Sequence, residues 1–286
     1  MAKFKKIVQF LCVSFIPLVI VFPTKAQNHS EHSNKQQLST YLRMRFDLSG
    51  EPVITWWNGK VFAKTPNKKL RPIMGFEGFN IGKLVLLKNG KYRWQSREIT
   101  YYTDLNTHKI LTYWVNPYSG VKNQVLTSAI DPVNNDNFET VRANFLSNGD
   151  GYLLLNQDVI TDKLNPVSPS EFPKASTGKR YLASEHFDYS VSQQDVDSNL
   201  SSIPYRETWL RTSSWFPWME MGRKQGGLLL IGNSGKYNSI SELPENILDY
   251  TQLNYPKFLN VPEQYKVPNE DSWTYYRNWK RKHRNG

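Results

Sequence analysis

Cysteine is nearly absent from this 286-residue chain: Cys12 is the single one. A disulfide framework is therefore excluded, and so is any cysteine-based metal centre. Histidine is also scarce, with five residues, of which only His108 and His186 lie away from the termini. No G-x-S-x-G elbow, H-E-x-x-H, phosphate-binding loop or G-x-G-x-x-G is present, so the commonest hydrolase, zincin and nucleotide signatures are missing. Asp131 to Asn137 is rich in oxygen ligands but lacks the calcium-loop pattern, and reads as a turn. Neither a metal nor a cofactor is expected.

Apolar runs are short except at the start. Lys3, Lys5 and Lys6 precede an apolar stretch from Ile7 to Phe22, interrupted by Gln9, Ser14 and Pro17, and Thr24-Lys25-Ala26 then offers small residues for cleavage before Gln27. This pattern reads as a signal peptide over residues 1–26. The run is too short and too broken for a permanent span of roughly 20 residues. The expected location is periplasmic or secreted.

The formal charge of +11 suggests nucleic acid, but its distribution argues otherwise. Without the signal, 32 basic residues face 25 acidic ones, and five of the basic ones (Arg277, Lys280, Arg281, Lys282 and Arg284) fall in the last ten positions. The body is nearly neutral with a basic end. Such an end is expected to meet anionic envelope surfaces, and nucleic acid is not expected as a partner.

What the chain has in abundance is aromatic side chains, 14% of all residues, with nine tryptophans all beyond residue 26. Residues 27–40 read as a polar, flexible leader, 41–265 as one β-rich domain, and 266–286 as a basic C-terminal helix or tail. Asn58-Gly59, Asn89-Gly90, Leu105 to Lys109, Asn116 to Gly120, Asn148-Gly149 and Asn233 to Gly235 read as hairpin turns between strand-like runs. Helices are expected only over Ile247 to Gln252 and Glu270 to Lys282. The fold class is mainly β, an antiparallel barrel or strongly bent sheet with a short helical C-terminal flank.

The densest aromatic segment is TWLRTSSWFPWMEMGRKQGG, Thr208 to Gly227. Pro217 keeps it from being one helix, so its indoles turn a corner and pack or line a pocket. Trp57, Trp209, Trp215 and Trp218 are the expected ligand-binding wall. In SEHFD, His186 and Asp188 share a strand face, which makes them the candidate acid–base pair, with Tyr102 and Arg206 as further catalytic candidates. Glu207, Trp209 and Arg211 share a face if their segment is a strand.

Several stretches in order resemble a family of secreted bacterial and some fungal proteins, the domain-of-unknown-function family 1838. They are WWNGKVFA, EGFNIGK, YYTDLNTHKILTYWVNPYSG, DPVN and EHFDY, then RETWLRTSSWFPWMEMGRKQGGLLL followed by GKYNSISELPENI. The similarity runs from about Leu42 to Pro262. His108 departs from the glycine expected in its turn, and Gln124 from a more usual apolar residue. The resemblance implies no activity.

The leading expectation is a cavity for a small apolar or aromatic molecule, bound or transformed by cofactor-independent proton transfer or cyclisation. Two other readings stand beside it: a non-catalytic module stacking exposed aromatics on glycans, and a purely structural envelope protein. Enclosed indoles favour the first, and an open row of indoles the second.

Overall fold

The computed structural model describes residues 31–283; the expected signal peptide lies outside the described residues. Helix α1 (Glu31–Arg45) opens the described chain. It occupies most of the segment read as a flexible leader, because Leu42, Met44 and Phe46 find apolar partners on the sheet that a local reading does not show.

Then come β1 (Val53–Lys64), β2 (Arg71–Leu86), β3 (Tyr92–Thr103), β4 (Tyr113–Val115), β5 (Lys122–Gln124), β6 (Ser128–Ile130), β7 (Asp136–Phe138) and β8 (Leu146–Ser147). They are followed by β9 (Tyr152–Leu164), β10 (Arg180–Ser192), the single turn α2 (Gln193–Val196), β11 (Arg206–Ser213), β12 (Gly227–Tyr237), α3 (Glu245–Asn254) and α4 (Ser272–Lys282). The main sheet runs β6-β3-β2-β1-β12-β11-β10-β9-β8, with β7 also on β3; β4 and β5 form a separate ribbon. All pairings are antiparallel. The sheet is strongly curved but not closed into a barrel.

Curvature is visible in which side chains meet. Phe76 on β2 and Trp209 on β11 are three strand spacings apart, about 14 Å across a flat sheet, yet their ring centroids are 5.7 Å apart. Two glycines on the concave face allow this. Gly59 and Gly232 are register partners, and a Cβ on them would lie 2.6 and 2.7 Å from Phe76 Cζ. Phe76 therefore lies across both strands.

This corrects two expected turns. Asn58-Gly59 is inside β1 and Asn233 to Gly235 is inside β12, where the strands run straight through and pair with each other. At Gly59 glycine is needed for close approach of the β12 backbone and the Phe76 ring, not for a reversal. The turns at Asn89-Gly90, Asn116 to Gly120 and Asn148-Gly149 do reverse the chain, and the glycines at 90, 120 and 149 have positive φ. His108 adopts φ 57° in its own turn, the backbone state that favours glycine.

The concave face is stoppered at one end by an apolar plug. Trp215, Phe216, Trp218 and Met219 pack there with Tyr102, Trp114, Trp273 and Leu228. Pro217 begins a short 3-10 turn, which is the corner expected from sequence. Helix α4 adds Trp273 and Tyr276 and ties the two sheet edges together. Its cap, Asp271, accepts from the Trp273 and Thr274 amides and pairs with Lys163 on β9, while Glu270 N donates to Pro132 beyond β6. On the convex side, α3 covers Ile54, Phe79, Ile81, Ile99 and Tyr101.

Candidate functional site

Successive side chains in a strand point to opposite faces, so one position of parity decides what reaches the concavity. In β10, Tyr181, Ala183, Tyr189 and Val191 are buried inward. Glu185 shares their parity, and the register places it beside Arg211 of β11. Trp209 and Glu207 follow on the same face of β11, Trp57 on β1, and Glu98 with Tyr102 on β3.

These residues form one connected cluster. Trp209 Nε1 donates to Glu185 Oε2 at 3.0 Å. Arg211 Nη1 lies 3.5 Å from Glu185 Oε1, and Nη2 donates to the Tyr181 hydroxyl. The Arg211 guanidinium also sits 5.8 Å from the Trp273 ring centroid. Burial opposes the charge on Arg211, but the Tyr181, Glu185 and Tyr102 oxygens outweigh it and raise its pKa. Arg211 is a permanent cation here.

Glu98 stands opposite, five strand spacings from β10 along the sheet, or about 24 Å if the sheet were flat. Curvature brings it within electrostatic reach of both Glu185 and Arg211. Burial, then the like charge of Glu185, push its carboxyl up to about 7, against the attraction of Arg211 and a hydrogen bond with Asn80. Its titration is thereby moved to neutrality. Burial also pushes the Tyr102 hydroxyl up to about 12, so it stays protonated, with Ser128 as its hydrogen-bond partner. Trp57 floors the site, its Nε1 packed over Gly78, where a Cβ would stand 2.9 Å away. Trp57, Trp209, Glu98 and Arg211 are all half-buried, so the cluster borders solvent.

The sequence-based candidates divide between the two faces. Tyr102, Trp57 and Trp209 belong to the concave cluster. His186, Asp188 and Arg206 do not: they lie on the opposite face. His186 is 47% exposed and its Nδ1 meets Asp158 Oδ1 at 2.7 Å, while Asp188 accepts from Asn156. His186 and Asp188 do share one face of β10, but it is the outer face. Trp215 and Trp218 are not a ligand wall. They are 1% and 6% exposed, and Trp215 Nε1 donates to the Lys224 carbonyl at 3.0 Å. Both are core.

Glu98 and Glu185 were not singled out from sequence. A signal did exist for Glu185: in YLASEHFDYSV it is the one charged residue among Tyr181, Ala183, Phe187, Tyr189 and Val191, the apolar parity. Glu98 carried no comparable mark, since β3 is mixed on both faces.

A second polar cluster closes the other end of the concavity. Arg45 at the end of α1 pairs with Glu207 at 3.2 Å and lies 5.3 and 5.8 Å from the Tyr189 and Tyr205 ring centroids. Lys236 Nζ donates to the Arg43 and Phe46 carbonyls and to Ser202, which caps the last turn of α1. These contacts anchor the helix. On the convex side an open cleft of about 610 Å³ is lined by Glu77, Thr107, His108, Lys109, Ile110, Asn246 and Tyr250. It shares no residue with the concave cluster, and its Glu77 accepts from Trp56 Nε1 at 3.1 Å.

A family described as "Protein of unknown function (DUF1838)" matches residues 50–280. The chain belongs to that family. No curated protein matches it. The matched span of this DUF1838 protein takes in every strand and nearly all of α4, and leaves out α1. Glu98, Glu185, Arg211, Trp57 and Trp209 are thus all within the family's domain, whereas Arg45 is outside it.

Proposed function

We propose that this protein is exported and takes a small, largely apolar or aromatic molecule against the concave face of its sheet. There it moves a proton on that molecule without a cofactor, with Glu98 as the acid–base group. The observation that carries this reading is the placement of Glu98: a half-buried carboxyl pushed up to about 7 and within electrostatic reach of Arg211 and Glu185, on the same face as two half-buried indoles. A proton-transfer group works best when its pKa lies near the working pH, because it is then both available and strong enough. Glu185 is a poorer base, since Trp209 and Arg211 already occupy both its oxygens. It holds Arg211 in place and raises Glu98. Trp57 and Trp209 supply flat apolar contact at little entropic cost.

Indole exposure speaks against the glycan reading. Among the nine tryptophans none is exposed, so no open row of stacking platforms exists among the described residues. The basic residues of α4 and the tail are read as a contact for anionic envelope surfaces.

The test is binding of 2-naphthol, followed by quenching of tryptophan fluorescence. The wild type is expected to bind one equivalent, Trp209→Ala to weaken binding at least tenfold, and His186→Ala to leave it unchanged. Equal loss in His186→Ala, or no effect of Trp209→Ala, would overturn the assignment of the concave face.

A further inference from the structure

We infer that the plug end of the molecule docks on a bilayer of anionic lipid, with Leu70, Tyr113 and Val115 entering the headgroup layer between basic side chains. This gives a place and a chemistry to the envelope contact read above from α4, and in that sense rests on it; it does not depend on the concave site.

Three pieces of chain meet at that end. The first joins β1 to β2 over residues 64–71, the second is the β4–β5 ribbon with its turn, and the third runs from Met221 to Gly226 ahead of β12. Trp215 of the plug holds them together. Its Nε1 donates to the Lys224 carbonyl at 3.0 Å, and the ring centroids of Trp215 and Tyr118, in the ribbon turn, are 5.7 Å apart. Gly226 fits between Trp215 and the first piece: a Cβ there would stand 2.3 Å from the Lys64 carbonyl oxygen and 3.1 Å from Trp215 Cζ2. Lys224 Nζ in turn lies 5.1 Å from the Tyr118 ring centroid.

The charge of these pieces is one-sided. Over residues 64–71, 113–122 and 221–226 there are seven basic residues and no acidic one. All seven are exposed, and none forms an ion pair among the described residues. Glu220, which borders the third piece, leaves the balance strongly positive. Apolar side chains protrude from the same pieces. The ribbon turns Trp114 and Asn123 into the plug, where Asn123 Nδ2 donates to the Trp218 carbonyl at 3.1 Å, so strand parity turns Tyr113, Val115 and Lys122 outward. Asn116 Nδ2 donates to the Met219 carbonyl at 3.0 Å and fixes the turn in the same way. Leu70 stands between Lys69 and Arg71. Leu70, Tyr113, Val115 and Val121 are 49–62% exposed, a grouping that marks an interaction surface.

The mixture selects the partner. A soluble polyanion would satisfy the basic side chains and leave the leucine and valines against water. A bilayer surface satisfies both, because phosphates meet the ammonium and guanidinium groups while the apolar side chains enter below them. Lysine and arginine stems can lie along that boundary with their charges at the headgroups, and tyrosine suits it because one end is apolar and the other wet. Ile160, Leu164 and Leu182 form another exposed apolar patch on the outer face. There Asp158 and Asp162 offset His186 and Arg180, so no positive excess attracts an anionic surface.

The test is sedimentation of the protein, cleaved before Gln27, with vesicles of phosphatidylcholine alone or mixed equally with phosphatidylglycerol. The wild type is expected to sediment with the mixed vesicles only, and to be released by molar salt. Lys68→Ser with Lys69→Ser should weaken binding about 25-fold, roughly fivefold per charge. Leu70→Ser with Val115→Ser should weaken it about tenfold, and Ile160→Ser with Leu182→Ser should leave it unchanged. All these side chains are exposed, so unchanged melting temperatures are expected and verify the fold of each variant. Full binding by the Leu70→Ser, Val115→Ser variant would show a purely electrostatic contact, as for a soluble polyanion, and overturn docking on lipid. Loss of binding in Lys280→Ser with Lys282→Ser, while the Lys68→Ser, Lys69→Ser variant binds like the wild type, would place the contact on α4 and overturn this inference alone. No sedimentation with either vesicle would overturn both. Binding of 2-naphthol, expected to be the same in every variant, reports on the concave site separately.

Discussion

Replacing Glu98 by glutamine tests the electrostatics of the site without any ligand. In the folded protein the carboxyl titrates at about 7; in the unfolded chain it returns to its ordinary 4.5. Between these values the folded state binds more protons than the unfolded one. The stability that Glu98 contributes is therefore fully present below pH 4.5 and is lost as pH rises through 7. Each pKa unit corresponds to 1.36 kcal/mol, so the displacement amounts to about 3 kcal/mol. Glutamine keeps the shape and carries no charge. Urea unfolding of both proteins at half-unit steps from pH 4 to 8.5 should give a difference curve that is flat below 4.5. It then climbs in favour of Glu98→Gln and levels off near 8, about 3 kcal/mol higher. A difference curve that stays flat across this range would refute the reasoning, because it would mean Glu98 is solvated and not held against Glu185. A difference falling with pH would show that Arg211 dominates, with the opposite sign.

Lys236 gives the complementary effect. Burial, and then Arg45, push its pKa down to about 7 from 10.5, so the unfolded state binds more protons in that window and stability rises with pH there; in Lys236→Met this slope, measured from pH 7.5 to 10, should vanish. Gly59→Ala forces a methyl to within 2.6 Å of Phe76 Cζ in a packed core and should cost about 1–3 kcal/mol in chemical denaturation. Trp215→Ala should cost about 3–5 kcal/mol, whereas His186→Ala, on an exposed strand face, should stay within about 0.5 kcal/mol; near-equal melting temperatures for the two would contradict the packing described. Glu207→Gln leaves Arg45 buried beside Tyr189 and Tyr205 without its carboxylate, and should destabilise by about 3–5 kcal/mol, with α1 exchanging its amides earlier.

Much of the local structure is legible in the residues. The strand-like runs from Tyr152 and from Arg180, the reversals at Asn89-Gly90 and Asn116 to Gly120, and the C-terminal helix with its Trp273–Tyr276 stripe all follow from short-range chemistry. Turn residues and period-two alternation act within a few positions, so a sequence displays them directly. The readings that failed share one cause: each needed a partner distant in the chain. Asn58-Gly59 has the composition of a hairpin turn, yet its strand continues, because Phe76 lies over Gly59 and β12 pairs along it. The residues from Glu31 look like a polar leader, yet they form α1, because Arg45 reaches Glu207 and Lys236 holds the helix end. For the site, alternation alone placed Trp209 and Arg211 on one face and His186 with Asp188 on another. Alternation could not say which face is concave.

The sequence by itself therefore determined an antiparallel β-rich domain of the DUF1838 family, crowded with indoles and lacking any standard catalytic signature. It also determined which residues share a face in each strand. Only the tertiary structure decided which of those faces meet. Parity along a strand is a property of neighbouring residues, but the sign and depth of sheet curvature come from packing over many strands. Glycines beneath Phe76, the Trp215–Trp218 plug and the α4 strap together bend the sheet. That bend carries Glu98 from a strand five spacings away to face Glu185 and Arg211, and leaves His186 outside.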